Sequence, residues 1–153
     1  TLEKLAQFNS ERIKDKSGVS FFNYLDNYNF LTMLTKELNA GRNLLVCRME
    51  LDNELISIFL CFIHQKVLYF FISGFDKKFI NYSPGSVHLK KIIDYCFEND
   101  IMEFDFLRGE DNYKFRFHPE VKRLDRYIIF NKKSIFNLQR LQYKIISFLR
   151  VFR

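Results

Sequence analysis

Apolar positions recur along this chain first at a helical and then at a strand period. From Leu2 to Lys14 the residues Leu2, Leu5, Ala6, Phe8 and Ile13 have partly helical spacing, and Ser17-Gly18 breaks the segment. A second helix is predicted from about Ser20 to Ala40. There Phe21, Tyr24, Leu25, Tyr28, Leu31, Leu34, Thr35 and Leu38 fall three or four residues apart on one face, and Gly41 supplies a stop. The pattern then shortens. Leu44 to Leu51, Glu54 to His64 and Val67 to Ser73 are runs rich in Leu, Ile, Val, Tyr and Phe, separated by Asp52-Asn53 and Gln65-Lys66 as tight turns, which predicts an antiparallel meander. The middle run, Ile56 to Ile63, is nearly all apolar, as expected of a central strand covered on both faces.

A polar and aromatic loop is expected from Gly74 to Pro84, with a helix from Pro84-Gly85-Ser86 to about Asn99. Leu89, Ile92, Ile93, Cys96 and Phe97 form its core-facing stripe. Ile101 to Leu107 alternates like a strand, with Asp105 on the face opposite Phe104 and Phe106. Arg123 to Asn131 suggests a further strand centred on Tyr127-Ile128-Ile129-Phe130. Helices, an antiparallel run, a helix and more strand make an α+β order without repeats.

With 153 residues, 48% hydrophobic and 18% aromatic, the chain is sized for one domain with a sizeable core. Nineteen Phe and no Trp fill that core. Cys47, Cys61 and Cys96 are odd in number and embedded in apolar segments, which predicts buried reduced thiols. His64, His88 and His118 lack metal-ligand spacing with one another or with a Cys, so no metal is expected. No run of about 18 apolar residues predicts a transmembrane helix, and no signal-peptide pattern opens the chain. The chain begins at Thr1, and an N-terminal portion of a longer protein is expected to precede it.

Candidate chemistry gathers where the strand at Ile101–Leu107 runs out. Asp105-Phe106-Leu107-Arg108-Gly109-Glu110-Asp111-Asn112-Tyr113-Lys114 places five charged residues and a Tyr around one Gly. Charged groups at a strand exit make a site on a rigid scaffold. The alternative is an Asp105–Arg108 or Asp105–Lys114 ion pair that only pins the loop.

Together with Gly74-Phe75-Asp76, Tyr82-Ser83-Pro84-Gly85 and the helix-like Val87 to Phe97, the motif Asp105-Phe106-Leu107-Arg108-Gly109 with Tyr113-Lys114 resembles the CelD-type acetyltransferase domain of cellulose biosynthesis. That domain is a branch of the GNAT acyltransferase superfamily related to the Fem-type aminoacyltransferases. The resemblance spans about residues 5 to 131 and implies a GNAT-like mixed, largely antiparallel sheet flanked by helices. On this reading residues 1–131 form the acyltransferase domain, and residues 132–153 a basic amphipathic helix of the same domain or a docking segment.

The resemblance also implies acyl-CoA as co-substrate, its pyrophosphate at the helix start Gly85, Ser86 and Val87, where free N–H groups and the helix dipole favour an anion. A simple helix cap is the alternative at that place. The chain departs from the superfamily there. It has the longer Asp76 to Pro84 loop and no second Gly in place of the usual Gln/Arg-x-x-Gly-x-Gly/Ala turn, which keeps other acyl donors open. The strand ending at Leu107 would splay to admit donor and acceptor, putting Asp105, Arg108, Tyr113 and Lys114 near the chemistry. Asp105 or Glu110 would serve as base, Tyr113 would protonate the leaving thiolate, and Arg108 or Lys114 would bind phosphate or carboxylate. A Tyr113 ring packed on the core with its hydroxyl solvated is the rival account.

Charge is uneven. Residues 1–121 hold 15 Lys and Arg against 17 Asp and Glu, whereas residues 122–153 hold nine Lys and Arg against one Asp. In that tail Ser134 would cap a helix with Ile135, Leu138, Leu141, Ile145, Phe148, Leu149 and Phe152 as its apolar set. The stripe is read as packing against the domain or the absent N-terminal portion, with an anionic membrane surface, an acidic partner or tRNA as other occupants. The reading at this stage is a cytoplasmic enzyme, with a peripheral place at the inner membrane face left open. It would transfer an acyl group from acyl-CoA to an amine or hydroxyl of a small-molecule, glycan or peptide acceptor in cell-envelope or polysaccharide metabolism. The alternatives are an aminoacyl-tRNA-dependent transferase of the Fem type and a non-catalytic partner-binding domain.

Overall fold

In the computed structural model, residues 1–14, 18–38, 43–125 and 127 are described. Helix α1 spans Leu2–Lys14, a 3-10 turn spans Phe21–Asn23 and α2 spans Leu25–Glu37. Strands β1 (Leu44–Leu51), β2 (Glu54–His64) and β3 (Val67–Phe75) follow, then a second 3-10 segment (Lys77–Tyr82), α3 (Pro84–Glu98), β4 (Glu103–Asp105) and the short α4 (Asn112–Phe115). All lie within Thr1–His118, a compact unit.

The sheet order is β1-β2-β3-β4, antiparallel except for the parallel β3–β4 pair, which is the α+β class expected. Both hairpins turn on two left-handed residues, Asp52 and Asn53 at φ 50° and 65° and Gln65 and Lys66 at φ 49° and 63°. Such a turn matches the twist of the strands it joins. Central β2 is buried on both sides, as its apolar run predicted. Ile58 and Leu60 join Leu5, Phe8 and Leu31 of the first two helices, while Phe59 and Cys61 join Leu89, Ile92 and Cys96 of α3. Successive strand residues point to opposite faces, so one apolar strand serves two cores.

Gly74 lets α1 lie directly on β3. A Cβ there would stand 2.7 Å from Phe8 Cβ, 2.9 Å from Asn9 N and 3.0 Å from Leu5 O. Buried Asn9 ties the same contact from the other side, its Nδ2 donating to Ser73 O at 2.7 Å while its Oδ1 accepts from Ser20 Oγ at 2.7 Å.

Several expectations change. The helix predicted from Ser20 to Ala40 is divided, because Ser20 Oγ accepts from Phe22 N and closes a 3-10 turn, after which Tyr24 is extended (φ −103°, ψ 122°) and α2 begins at Leu25. The loop expected from Gly74 is partly ordered. Strand β3 runs on to Phe75, and Asp76 caps the second 3-10 segment through Lys78 N at 2.9 Å. Phe97 is 83% exposed and not part of the buried stripe. Leu89, Ile92 and Cys96 centre that stripe, and Phe97 sits roughly 80° round the helix from it. The strand expected over Ile101–Leu107 shrinks to Glu103–Asp105. Residues 123–125 and 127 are not in a strand; the rest of the Arg123–Asn131 expectation, and the tail helix over 132–153, lie outside the described residues. Among the described residues no helix is long and apolar enough to cross a membrane.

Candidate active site

Strand β4 pairs with β3 at Val67–Glu103, Leu68–Phe104 and Tyr69–Asp105, and then leaves it. Its departure is built from local chemistry. Asp105 Oδ1 accepts from Leu107 N at 2.7 Å, which bends the chain at once. Leu107 is left-handed at φ 55° and Gly109 stands at φ 107°, a conformation that favours glycine. Lys114, only 6% exposed, reaches back from α4 so that its Nζ donates to Arg108 O at 2.8 Å, Gly109 O at 3.1 Å and Leu107 O at 3.5 Å. Asp111 Oδ2 lies 3.7 Å from the same ammonium. A buried cation so surrounded fixes three carbonyls that a reversing loop would otherwise leave unpaired.

Beyond Tyr69, β3 therefore has no strand on that edge among the described residues, and a cleft of about 350 Å³ opens there. Phe59, Phe70, Phe75 and Leu89 make an apolar wall, and Ile80, 58% exposed, stands at the surface. The polar lining comes from Ser83, Gly85 and Ser86 at the start of α3, from Arg12 and Lys77, and from Tyr113. An apolar cleft with a few convergent polar groups is the usual form of a small-molecule site.

The start of α3 is poor in free donors. Pro84 has no N–H, Ser83 N donates to Ile80 O, and Ser86 N and Val87 N both donate to Ser83 O. The Gly85 N–H is the one left in this turn without a backbone acceptor. A Cβ on Gly85 would sit 3.3 Å from the Phe75 ring, so that residue also keeps the wall closed.

Arg12 and Tyr113 carry the electrostatics of the cleft. Arg12 Nε is buried without a hydrogen-bond partner. Burial pushes the guanidinium below its ordinary value, and Tyr113 and Asp111 counter that shift. The Tyr113 phenol is pushed up to about 12 by burial first and Asp111 second, with Arg12 opposing. It stays protonated through neutral pH.

His88 supports the cleft from the α3 side. It is 3% exposed, stacks on Phe59 at 4.4 Å between ring centroids, and its Nδ1 lies 2.9 Å from Ser57 Oγ. Ser57 Oγ in turn donates to Gly74 O at 3.3 Å, so the neutral ring serves as donor from Nδ1. Burial, with Lys91 second, lowers the His88 pKa to about 4. Of the thiols, Cys61 and Cys96 are buried and Cys47 partly so, and none is disulfide-bonded. A hydrogen bond between Cys47 and Cys61 lowers Cys47 and raises Cys61, and burial raises Cys96 to about 11. No group of three His, Cys, Asp or Glu among the described residues could hold a metal ion.

Of the residues singled out from sequence, Gly85, Ser86 and Tyr113 line the cleft. Val87 does not, and its N–H is taken by Ser83. Asp105, Arg108 and Lys114 do not line it either; Asp105 and Lys114 hold the loop that opens it, and Arg108 gives its carbonyl to Lys114. Among the described residues Asp105 pairs with neither Arg108 nor Lys114. Arg12 and Lys77 escaped the sequence reading. Arg12 sits in the last turn of α1, where a basic residue reads as a helix-end charge, and only the close packing at Gly74 brings it to the cleft.

The chain belongs to the acetyltransferase (GNAT) domain family, whose sequence profile matches residues 1–115. The mixed sheet flanked by helices is a GNAT-like fold, and acyl transfer is the chemistry of the family. No curated protein matches the chain at a comparable level. Two solved structures of an aminoglycoside acetyltransferase, meta-AAC0020 from an uncultured soil metagenomic sample, are similar to it. The complex with sisomicin has 17% identity and a TM-score of 0.48, and the complex with trehalose 17% and 0.47, each over 67% of this chain and 74% of the other.

Proposed function

We propose that the domain transfers an acyl group from acyl-CoA to an amine or hydroxyl acceptor, in the cell-envelope or polysaccharide setting that its CelD-like motifs suggest. One observation carries the reading. The strand that leaves β3 after Tyr69 opens a cleft in which the start of α3, an apolar wall and a protonated phenol converge. The thioester arm would lie along Phe59, Phe70 and Phe75, with the pyrophosphate toward Gly85 and Ser86. The acceptor's lone pair attacks the thioester carbonyl, the tetrahedral adduct collapses with loss of the thiolate, and Tyr113 supplies the proton that the sulfur takes up. Among the described residues no carboxylate lines the cleft, so the acceptor's proton leaves through water, and Asp105 and Lys114 contribute by shaping the strand exit.

The domain would work in the cytoplasm or against the inner membrane face, with residues 132–153 as a docking segment. Aminoacyl transfer from a charged tRNA, as in the related Fem-type enzymes, is a second reading. It is favoured by the single free N–H at the α3 start, a spare cradle for a pyrophosphate. Isothermal titration of the protein with acetyl-CoA and a longer acyl-CoA tests the first reading. Micromolar binding abolished in Gly85→Glu supports it. No heat with either ligand, together with salt-sensitive binding of tRNA, would favour the second. Silence with all three would leave a partner-binding domain.

A further inference from the structure

Arg12 takes no part in the transfer step proposed for the cleft that it lines. Its Nε is buried and unpartnered, none of the ion pairs among the described residues involves it, and it lines the cleft beside Tyr113. A guanidinium whose Nε has lost water and gained no acceptor carries a cost that an incoming acceptor would remove. The fold nevertheless holds it there, because α1 is pressed onto β3 at Gly74 and tied by Asn9 to Ser73, one turn before Arg12. Asp111, the acidic group that acts on it through space, is engaged with Lys114 at 3.7 Å.

We propose that Arg12 is the recognition residue for an oxyanion, a phosphate or a carboxylate, carried by a substrate of this cleft. The inference rests on the reading of the cleft as a substrate site and adds the chemical class it selects. A planar fork of N–H donors suits two oxygens of one phosphate or carboxylate, and an ammonium offers only a point charge. The oxyanion has two sources: a phosphate of the donor, or an acidic group on the acceptor.

The test uses the whole chain, with Arg12→Met and Arg12→Lys variants, titrated with inorganic pyrophosphate, succinate, CoA and pantetheine. Wild-type protein is expected to bind pyrophosphate or succinate with an affinity that falls as salt rises. Arg12→Met should lose at least tenfold and Arg12→Lys should fall between. The thermal midpoint of Arg12→Met should not drop, because the substitution removes an unpartnered Nε and breaks no ion pair. If Arg12→Met weakens CoA but not pantetheine, the oxyanion is the donor's phosphate; if CoA binding is unchanged while succinate is lost, it belongs to the acceptor. Equal pyrophosphate and succinate binding in wild type and Arg12→Met would overturn the proposal, as would a lowered midpoint with unchanged binding. Absence of CoA binding with an Arg12-dependent pyrophosphate signal would instead reject the acyl-CoA reading and leave this one standing.

Discussion

The two halves of β3 differ in what lies beside them. Val67–Tyr69 is flanked by β2 and β4, and Leu68 at its centre is fully buried. Phe70–Phe75 keeps β2 on one edge but has no strand among the described residues on the other, and Phe70, Ser73 and Phe75 line the cleft. Both halves alternate apolar residues alike, so propensity does not separate them. The difference is imposed from outside, by a bend at Asp105 and a buried lysine that takes the next strand away, and by α1 and α3 bracing the open half at Gly74. An open strand edge is normally a liability, and among the described residues the cleft lies along this one.

The strongest way to break this arrangement is at Gly74. A Val side chain would meet the backbone of α1, and Gly74→Val should destabilise the protein by about 4 kcal/mol in urea unfolding, at the upper end of overpacking effects. A side-chain deletion on the paired half, such as Tyr69→Ala, should cost visibly less.

Acid comes next. His88 is held neutral when folded, with a pKa of about 4 against 6.5 when free. Because the folded value is depressed, the unfolded chain takes up the proton first as pH falls. The stability is fully present above pH 6.5 and is lost towards pH 4, about 3 kcal/mol in all. Urea midpoints measured across that range should show the slope, and His88→Gln should flatten it.

Lys114→Met leaves three carbonyls without their donor, at a cost of about 2 kcal/mol. It should also widen amide exchange in the loop from Leu107 to Asp111 while leaving β1 and β2 protected. The smallest effect on stability is expected from Tyr113→Phe, within about 0.5 kcal/mol, with turnover nevertheless falling about a hundredfold if the phenol supplies the thiolate's proton.

The meander was legible because the three strands are long, apolar and separated by two-residue turns that force their own geometry. Helix α3 was legible from Pro84 and the Leu89–Ile92–Cys96 spacing. Part of what the sequence hid was set by single polar side chains that accept from the backbone two residues on. Ser20 ends one expected helix by capping a 3-10 turn, and Asp105 cuts an alternating strand to three residues. Charge clustering pointed to the strand exit beside which the cleft opens, yet most of those charges build the loop. Arg12 lies about 100 residues away in sequence from Tyr113, and nothing local announces that the two face one cleft.

The central claim is that the donor enters where β4 parts from β3. Amide-resolved NMR during titration with acetyl-CoA tests it directly. The account expects the resonances of Phe70, Ser73, Phe75, Gly85, Ser86 and Tyr113 to move together with one binding isotherm. Shifts confined to the shallower groove between β1 and α3, lined by Leu45, Arg48, His88 and Tyr95, would contradict it.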